Sequence, residues 1–359
     1  MKKVKTAQKK TLSSGAVGQH LLVIRLSAMG DVAMMVPVLS ALVHQYPDLK
    51  ITVLTRAFFN PLFFELPNVQ VYEADVKGKH SGVFGLWKLY KELKALQIDA
   101  VADLHNVLRS KILKQYYQLG EIPFFQIDKG RADKKALTAK QNKVFKPLKT
   151  TCQRYAYVFA QLGFSLDMSK APLLPQQQLT AKVLKLVGSN TKKWIGIAPF
   201  AAFKGKMYPL HLMEEVIEQL NNTGKYKILL LGGGKEEVRQ LEAWQAKYPS
   251  CTNTAGKFDF SDELKLISNL DVMLAMDSGN AHLSSIYGIK TITLWGVTHP
   301  YAGFYPFGQD ADNALLADRE KFPLIPTSIY GNKMPEGYEK AIETIHPNTI
   351  SRKIETLLG

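Results

Sequence analysis

The sequence predicts two α/β domains, each a parallel sheet with helices on both faces. Three observations predict it. The chain has 359 residues, 46% of them hydrophobic, which is too long for one ordinary core and suits two domains of roughly 150 residues each. Short strand-like runs alternate with helically spaced ones from residue 20 to 120, and the alternation starts afresh near Lys193. In strand–helix repeats of this length the sheet is parallel and covered on both faces.

LLVIRL (21–26) has the continuous apolar character of a buried strand, and residues 32–46 carry apolar side chains at helical spacing up to Pro47. KITVLT (50–55) is the next strand, FFNPLFFELPNV a short helix and turn, and VQVYEA (69–74) a further strand. GLWKLYKELKALQ (85–97) is an amphipathic helix, IDAVADL (98–104) a strand, and RSKILKQYYQLG (109–120) a helix stopped by Gly120. CQRYAYVFAQLG (152–163) is helical, and the polar DMSKAPLLPQQQLT (167–180) leads toward an interdomain linker. We therefore expect a basic tail over 1–19, a first domain over 20–180 and a second over 181–334.

In the second domain KWIGIAPF (193–200) is a strand, residues 209–224 a helix, YKILLLGGG (226–234) a strand into a glycine turn and residues 235–249 a helix. SDELKLISNL (261–270) is a short helix whose start suits a serine cap. DVMLAM (271–276) and KTITLWG (290–296) are strands on either side of a turn and helix at SGNAHLSSIYG. From Pro335 to Gly359 the chain is helical with a break at Pro347.

The formal net charge is +15, a balance that favours an acidic partner: nucleic acid, anionic lipid or a phosphorylated substrate. Residues 128–150 carry eight basic and two acidic residues. That segment reads either as a solvated loop or as a basic flap that meets an anionic substrate or membrane. No zinc, helix-turn-helix or RNP-like motif accompanies the charge, so specific nucleic-acid binding is not expected. Cys152 and Cys251 stand far apart, which speaks for reduced thiols. The tail lacks the long apolar stretch of a secretory signal, and no window reaches the roughly 18 apolar residues of a membrane span. The GxGxxG pattern is absent after the first strand, and GGGKEE lacks the GxxxxGK[ST] of a phosphate loop.

Ligands of open parallel sheets bind at the carboxyl ends of the strands. Five segments end there: SAMGD (27–31), DLHN (103–106), APFAAFKGK (198–206), GGGKEE (232–237) and MDSGNAH (276–282). Asp31 reads locally as a first-turn acid that offsets unpaired helix amides; the rival reading is a general base, with Gly30 allowing close approach of a substrate. The amides of Ser278, Gly279 and Asn280 suit an anion pocket, and His282 is either a ligand contact or a core histidine beneath the turn. Asp277 and His282 lack a third metal ligand nearby. Glu236 or Glu237 suits a ribose, or simply a helix first turn. Lys204 and Lys206 suit a leaving phosphate, or solvent. The aromatics of WGVTHPYAGFYPFG (295–308) suit a base or sugar platform, or a packed surface loop. Asp310 and Asp312, the one Asp-x-Asp triplet, lie away from a strand end.

The stretch LLVIRLSAMGDVAMMVPVLSALVHQYPDLKITVLT resembles the opening of the bacterial lipopolysaccharide heptosyltransferase family, and ELKLISNLDVMLAMDSGNAHLSSIYGIKTITLWGVTHPY resembles its second signature. The intervening pieces follow the family order from about residue 20 onward. The resemblance implies the GT-B type: two facing Rossmann-like domains with an active cleft between them, and a C-terminal helix (335–359) packed back on the first domain. It implies an inverting, metal-independent glycosyltransferase that moves heptose from an ADP-activated donor, with no cofactor. The acceptor it implies is an anionic lipid-linked core oligosaccharide, met by a monomer at the cytoplasmic face of the inner membrane. Carried over by position, Asp31 is the base, Lys206 meets the donor phosphates, Glu236 the ribose, Asp277 the donor sugar, and Ser278 to His282 the phosphates. Gly30, His105, Asn106 and Arg109 fall on the acceptor side. The chain departs from the family at Asn280-Ala281, where Pro-Met is commoner, and at Phe200, where glycine is common. Another nucleotide-sugar transferase, a nucleotide-sugar epimerase and a non-catalytic polyanion binder remain as alternatives.

Overall fold

A computed structural model describes residues 20–188 and 192–359; the basic tail expected over 1–19 lies outside them. The apolar runs pair as parallel strands. His20–Ile24 (β1), Lys50–Thr55 (β2), Val69–Glu73 (β3), Ala100–Asp103 (β4) and Phe124–Gln126 (β5) form a 5-stranded sheet in the order β3-β2-β1-β4-β5. Lys193–Ala198 (β6), Tyr226–Leu230 (β7), Cys251–Asn253 (β8), Val272–Met276 (β9), Lys290–Trp295 (β10) and Ala314–Leu316 (β11) form a 6-stranded sheet in the order β11-β10-β9-β6-β7-β8. Every pairing in both sheets is parallel. Strand order reverses at β1/β4 in one sheet and at β6/β9 in the other, and each reversal opens a crevice beyond the strand ends.

The strands β5, β8 and β11 were not expected from the sequence. Each has three residues at a sheet edge, too short for a periodic signal. Residues Ala57–Phe63 form a 3-10 helix around Pro61, since proline supplies no amide for a longer α-helix there. The helix Phe260–Ile267 is capped by the Asp259 carboxylate, which accepts from the Asp262 amide. The cap is therefore Asp259, and Ser261 lies inside the helix.

The chain divides into two compact units. Of the described residues, one takes those from 20 to 27, Val38–Asp128 and Gln153–Ala171; the other takes Ala28–Pro37, Lys129–Cys152 and those after Ala171. The second unit thus begins at Pro172, ahead of the expected 181. Residues 172–180 are tied to it by the Leu174 amide on the Ile286 carbonyl and the Gln177 amide on Ser268 Oγ.

The basic segment is built into the second unit from Lys129 onward. Its residues Arg131–Leu137 are helical, and Lys143 Nζ donates to the carbonyls of Leu137 and Pro326. Phe145 packs on His299 and Tyr301, with the Arg319 guanidinium 3.4 Å from its ring centroid. Burial, then the charge of Arg319, pushes the His299 imidazole down to about 4.

The C-terminal helix corrects another expectation. Helix Pro347–Leu358 buries Pro347, Ile350, Ser351 and Ile354, in the same apolar cluster as Met213, Val216 and Leu220 of helix Leu210–Asn222. Ser351 Oγ donates to Gln219. An apolar stripe at i, i+3, i+4 and i+7 spacing packs against the nearest matching stripe, and this one lies in the second unit. Among the described residues, no helix is long and apolar enough to cross a membrane. Replacing Ile354 by Ala should cost roughly 2–5 kcal/mol of stability. Urea denaturation measures the loss, and hydrogen exchange should show it first in helix Leu210–Asn222, with β1–β5 spared.

Candidate functional site

The crevice at the β6/β9 reversal is where the second unit gathers its chemistry. Asp277 follows β9 directly, and Lys206 ends the 3-10 turn Lys204–Lys206 after β6. Lys206 Nζ lies 2.8 Å from Asp277 Oδ2, with side chains only 14% and 5% exposed. Thr298 Oγ1 donates to the same carboxylate oxygen at 2.9 Å. Charges this sheltered persist only when paired and hydrogen-bonded. The lysine stem is held as well. Gly331 has φ +75°, and a Cβ there would stand 2.6 Å from Lys206 Cγ, so a residue with a side chain would be both strained and in collision.

The second feature is a close approach of two turns within the same unit. Helix Met29–Ala33 packs against helix Gly279–Ser285. A Cβ on Gly30 would lie 2.9 Å from His282 Cδ2, and one on Gly279 would meet the Met29 side chain. Two glycines are what let the turns touch. Asp31 sits in the first turn of helix Met29–Ala33, whose N-cap, Ala28, offers no side-chain cap.

Together these elements line a cavity of about 220 Å³: Gly30, Asp31, Lys206, Asp277, Ser278, Gly279 and His282, with Phe203, Phe304 and Tyr330 among its walls. Ser278 Oγ, Asn280 Oδ1 and His282 Nδ1 are buried without a hydrogen-bond partner among the described residues. Such atoms are costly unless a ligand or water meets them. Burial pushes the His282 imidazole from 6.5 down to about 4, against the pull of the Asp277 and Asp31 carboxylates and with the help of Lys206. A neutral imidazole offers one donor and one acceptor. The cavity walls therefore combine a fixed cation, two carboxylates and two residues with unsatisfied polar atoms, Ser278 and His282, a set suited to a ligand with both phosphate and hydroxyl groups.

Residues 86–324 match glycosyltransferase family 9 (heptosyltransferase), which is more than half of the chain. The chain belongs to glycosyltransferase family 9. It is 27% identical over 368 residues to lipooligosaccharide heptosyltransferase 2 of Haemophilus influenzae, covering 95% of this chain and 99% of that one. Among solved structures it is similar to a family 9 glycosyl transferase from Veillonella parvula, with a TM-score of 0.74, 19% identity and coverage of 97% and 99%. It is also similar to an E. coli heptosyltransferase solved with ADP, with a TM-score of 0.64, 17% identity and coverage of 94% and 100%. These likenesses agree with two Rossmann-like domains of GT-B type.

Not every residue singled out in this family 9 chain reaches the cavity. Asn280 lies in the same turn but does not line it. Glu236 is 79% exposed and paired with Arg239, while Glu237 accepts the Gly233 amide. Lys204 is exposed. His105, Asn106 and Arg109 belong to the first unit. There the Asp103 carboxylate accepts the amides of His105 and Asn106, the Asn106 side chain donates to the Ile127 carbonyl, and Arg109 is exposed. His282 lies within the helix Gly279–Ser285. Sequence reasoning missed Thr298, Phe203 and Tyr330. A threonine shortly after a strand carries no local signal that it donates to Asp277, and a tyrosine in the aperiodic run 317–335 carries none that it lines the cavity. Among the described residues, no group of three or more His, Cys, Asp or Glu side chains could hold a metal ion.

Replacing Lys206 by Ala should destabilise the protein by roughly 3 kcal/mol, because a sheltered carboxylate loses its cation; guanidinium denaturation measures this, and Lys206→Met combined with Asp277→Leu should recover most of it. His282 should show no titration in NMR spectra between pH 8 and pH 5. Because its folded pKa of about 4 lies below the unfolded 6.5, the unfolded chain takes up the proton first. Its contribution to stability is full above pH 6.5 and is lost as pH falls toward 4.

Proposed function

We propose that the protein is an inverting glycosyltransferase that moves a heptose from an ADP-activated donor to an anionic, lipid-linked core oligosaccharide. Asp31 acts as the general base. The observation that carries this reading is that Asp31 lines the same cavity as the Lys206–Asp277 pair. Membership of family 9 supports the reaction type. The heptosyltransferase 2 of H. influenzae, named for lipooligosaccharide, and the E. coli heptosyltransferase bound to ADP support the acceptor and donor classes.

Inversion needs a base on the face of the sugar opposite the leaving group. Asp31 takes the proton of an acceptor hydroxyl as that oxygen forms its bond to the anomeric carbon. The bond from that carbon to the diphosphate oxygen breaks, and its electron pair leaves with the nucleoside diphosphate. The transition state has the oxocarbenium character met in glycoside hydrolysis. Lysine has three donor hydrogens; in Lys206 one serves Asp277, and the others meet the phosphate oxygens as charge gathers there. Asp277 also accepts from donor-sugar hydroxyls. Neutral His282 and the Ser278 hydroxyl, both on the cavity wall, supply further hydrogen bonds without adding charge.

Asp31→Asn keeps the size and removes the base. Transfer from ADP-heptose to a lipid-A core acceptor should fall roughly 10²–10⁴-fold, while calorimetry finds donor affinity nearly unchanged. Near-wild-type turnover would remove Asp31 from its role. A titration with ADP-, UDP- and GDP-sugars tests the donor, and binding of UDP-sugars alone would exclude ADP-heptose.

A further inference from the structure

The first unit carries an apolar tip that the reaction does not use. Helix Gly82–Lys94 opens with Val83, Phe84 and Trp87, which are 57%, 91% and 41% exposed. The Trp87 ring lies edge-on to Tyr116 at 4.9 Å, and the Tyr116 hydroxyl donates to the Val83 carbonyl. Val83, Trp87 and Tyr116 are therefore one continuous surface, with Phe84 standing out from the first turn. The following exposed positions of the same helix are Lys88, Lys91 and Lys94, and Lys77 and Lys79 precede it. At about 100° per residue, these helix positions share one outward sector.

The tip is braced. The Asp75 carboxylate accepts the amides of Gly78 and Lys79, and the His80 amide donates to the Asp75 carbonyl. Nδ1 of fully buried His80 accepts from the Asp75 amide, which leaves the proton on Nε2, 2.9 Å from Glu92. Glu92 also accepts from Tyr72 and lies 3.5 Å from Lys79. A Cβ on Gly85 would stand 2.5 Å from the His80 backbone, so loop and helix are in direct contact. The two nearby acids, Asp75 and Glu92, are spent inside this brace, and the lysines outside it face solvent.

A rigid aromatic tip ringed by lysines matches the water–bilayer boundary, where Trp, Tyr and Phe sit among headgroups and lysines meet anionic lipid. We infer that this tip docks the protein on an anionic membrane surface, with Phe84, Trp87 and Val83 entering the headgroup layer and Lys88 and Lys91 holding phosphates. The lysine ring and the net charge of +15 choose an anionic bilayer over an apolar protein partner. The inference extends the proposed function, which requires a lipid-linked acceptor, but vesicle binding is read without turnover and so stands or falls separately.

The test is co-sedimentation of the full chain with phosphatidylglycerol-containing vesicles and with pure phosphatidylcholine vesicles, at low and high salt. The wild type should bind the anionic vesicles and lose them at high salt. Phe84→Ser with Trp87→Ser should weaken binding at least about tenfold, as should Lys88→Glu with Lys91→Glu. Melting temperature and transfer to a delipidated, soluble acceptor should stay at wild-type values. Failure of the wild type to bind anionic vesicles, or equal binding by both double variants, overturns the inference. So does a concentration-dependent dimer that the Phe84→Ser, Trp87→Ser variant abolishes, which would assign the tip to a second copy of the chain.

Discussion

The buried ion pair between Lys206 and Asp277 is the constraint around which the second unit is arranged. Two opposite charges with little access to water survive only if each is held against the other and their remaining hydrogen-bonding capacity is met. Thr298 meets part of it by donating to the carboxylate. Position is enforced by backbone packing. Gly205, the residue before Lys206, lies so close to Val297 and the Gly331 carbonyl that a Cβ would fall 2.5 and 2.6 Å from them. Gly331 in turn covers the lysine stem. The ends of β6, β9 and β10 thus converge on one charged pair, which is what the strand-order reversal at β6/β9 makes sterically available.

Beside this pair stands a histidine that stays neutral. Burial outweighs the two carboxylates that would favour its charged form, so the cavity holds one cation, two anions and a set of neutral polar atoms. On the proposed function, a phosphate-bearing donor meets a single fixed positive charge and preorganised hydrogen-bonding groups. The glycines at 30 and 279 bring the Asp31 turn against this set. The first-turn position of Asp31 and its place on the cavity wall are compatible, since the same residue occupies both.

The basic segment shows what composition leaves open. Eight positive charges within 128–150 suggest either a solvated loop or a basic flap toward an anionic partner; Phe145, flanked by His299, Tyr301 and Arg319, anchors the segment to the loop after β10. A single aromatic residue among lysines carries no periodicity, and its partners lie more than a hundred positions away. The same blindness applied to Tyr330 and Thr298, which reach the site through irregular chain. The terminal helix was misassigned for a related reason. Its stripe of Ile350 and Ile354 was visible in the sequence, but a stripe specifies that a surface is covered and leaves open which surface covers it.

Local sequence was enough for the α/β alternation, the longer strands, the family resemblance, and the candidacy of Asp31, Lys206, Asp277 and His282. Those features are local: buried strands are continuous apolar runs, helices have a 3.6-residue period, and functional groups of parallel sheets follow strand ends. It took the packed fold to settle which candidates share a cavity, which stay on the surface, as Glu236 does, and which partner neutralises which charge. Those outcomes depend on contacts between distant segments. A Cβ-less approach at Gly30, a left-handed turn at Gly331 and a short edge strand are packing facts, and packing is set by the whole sheet.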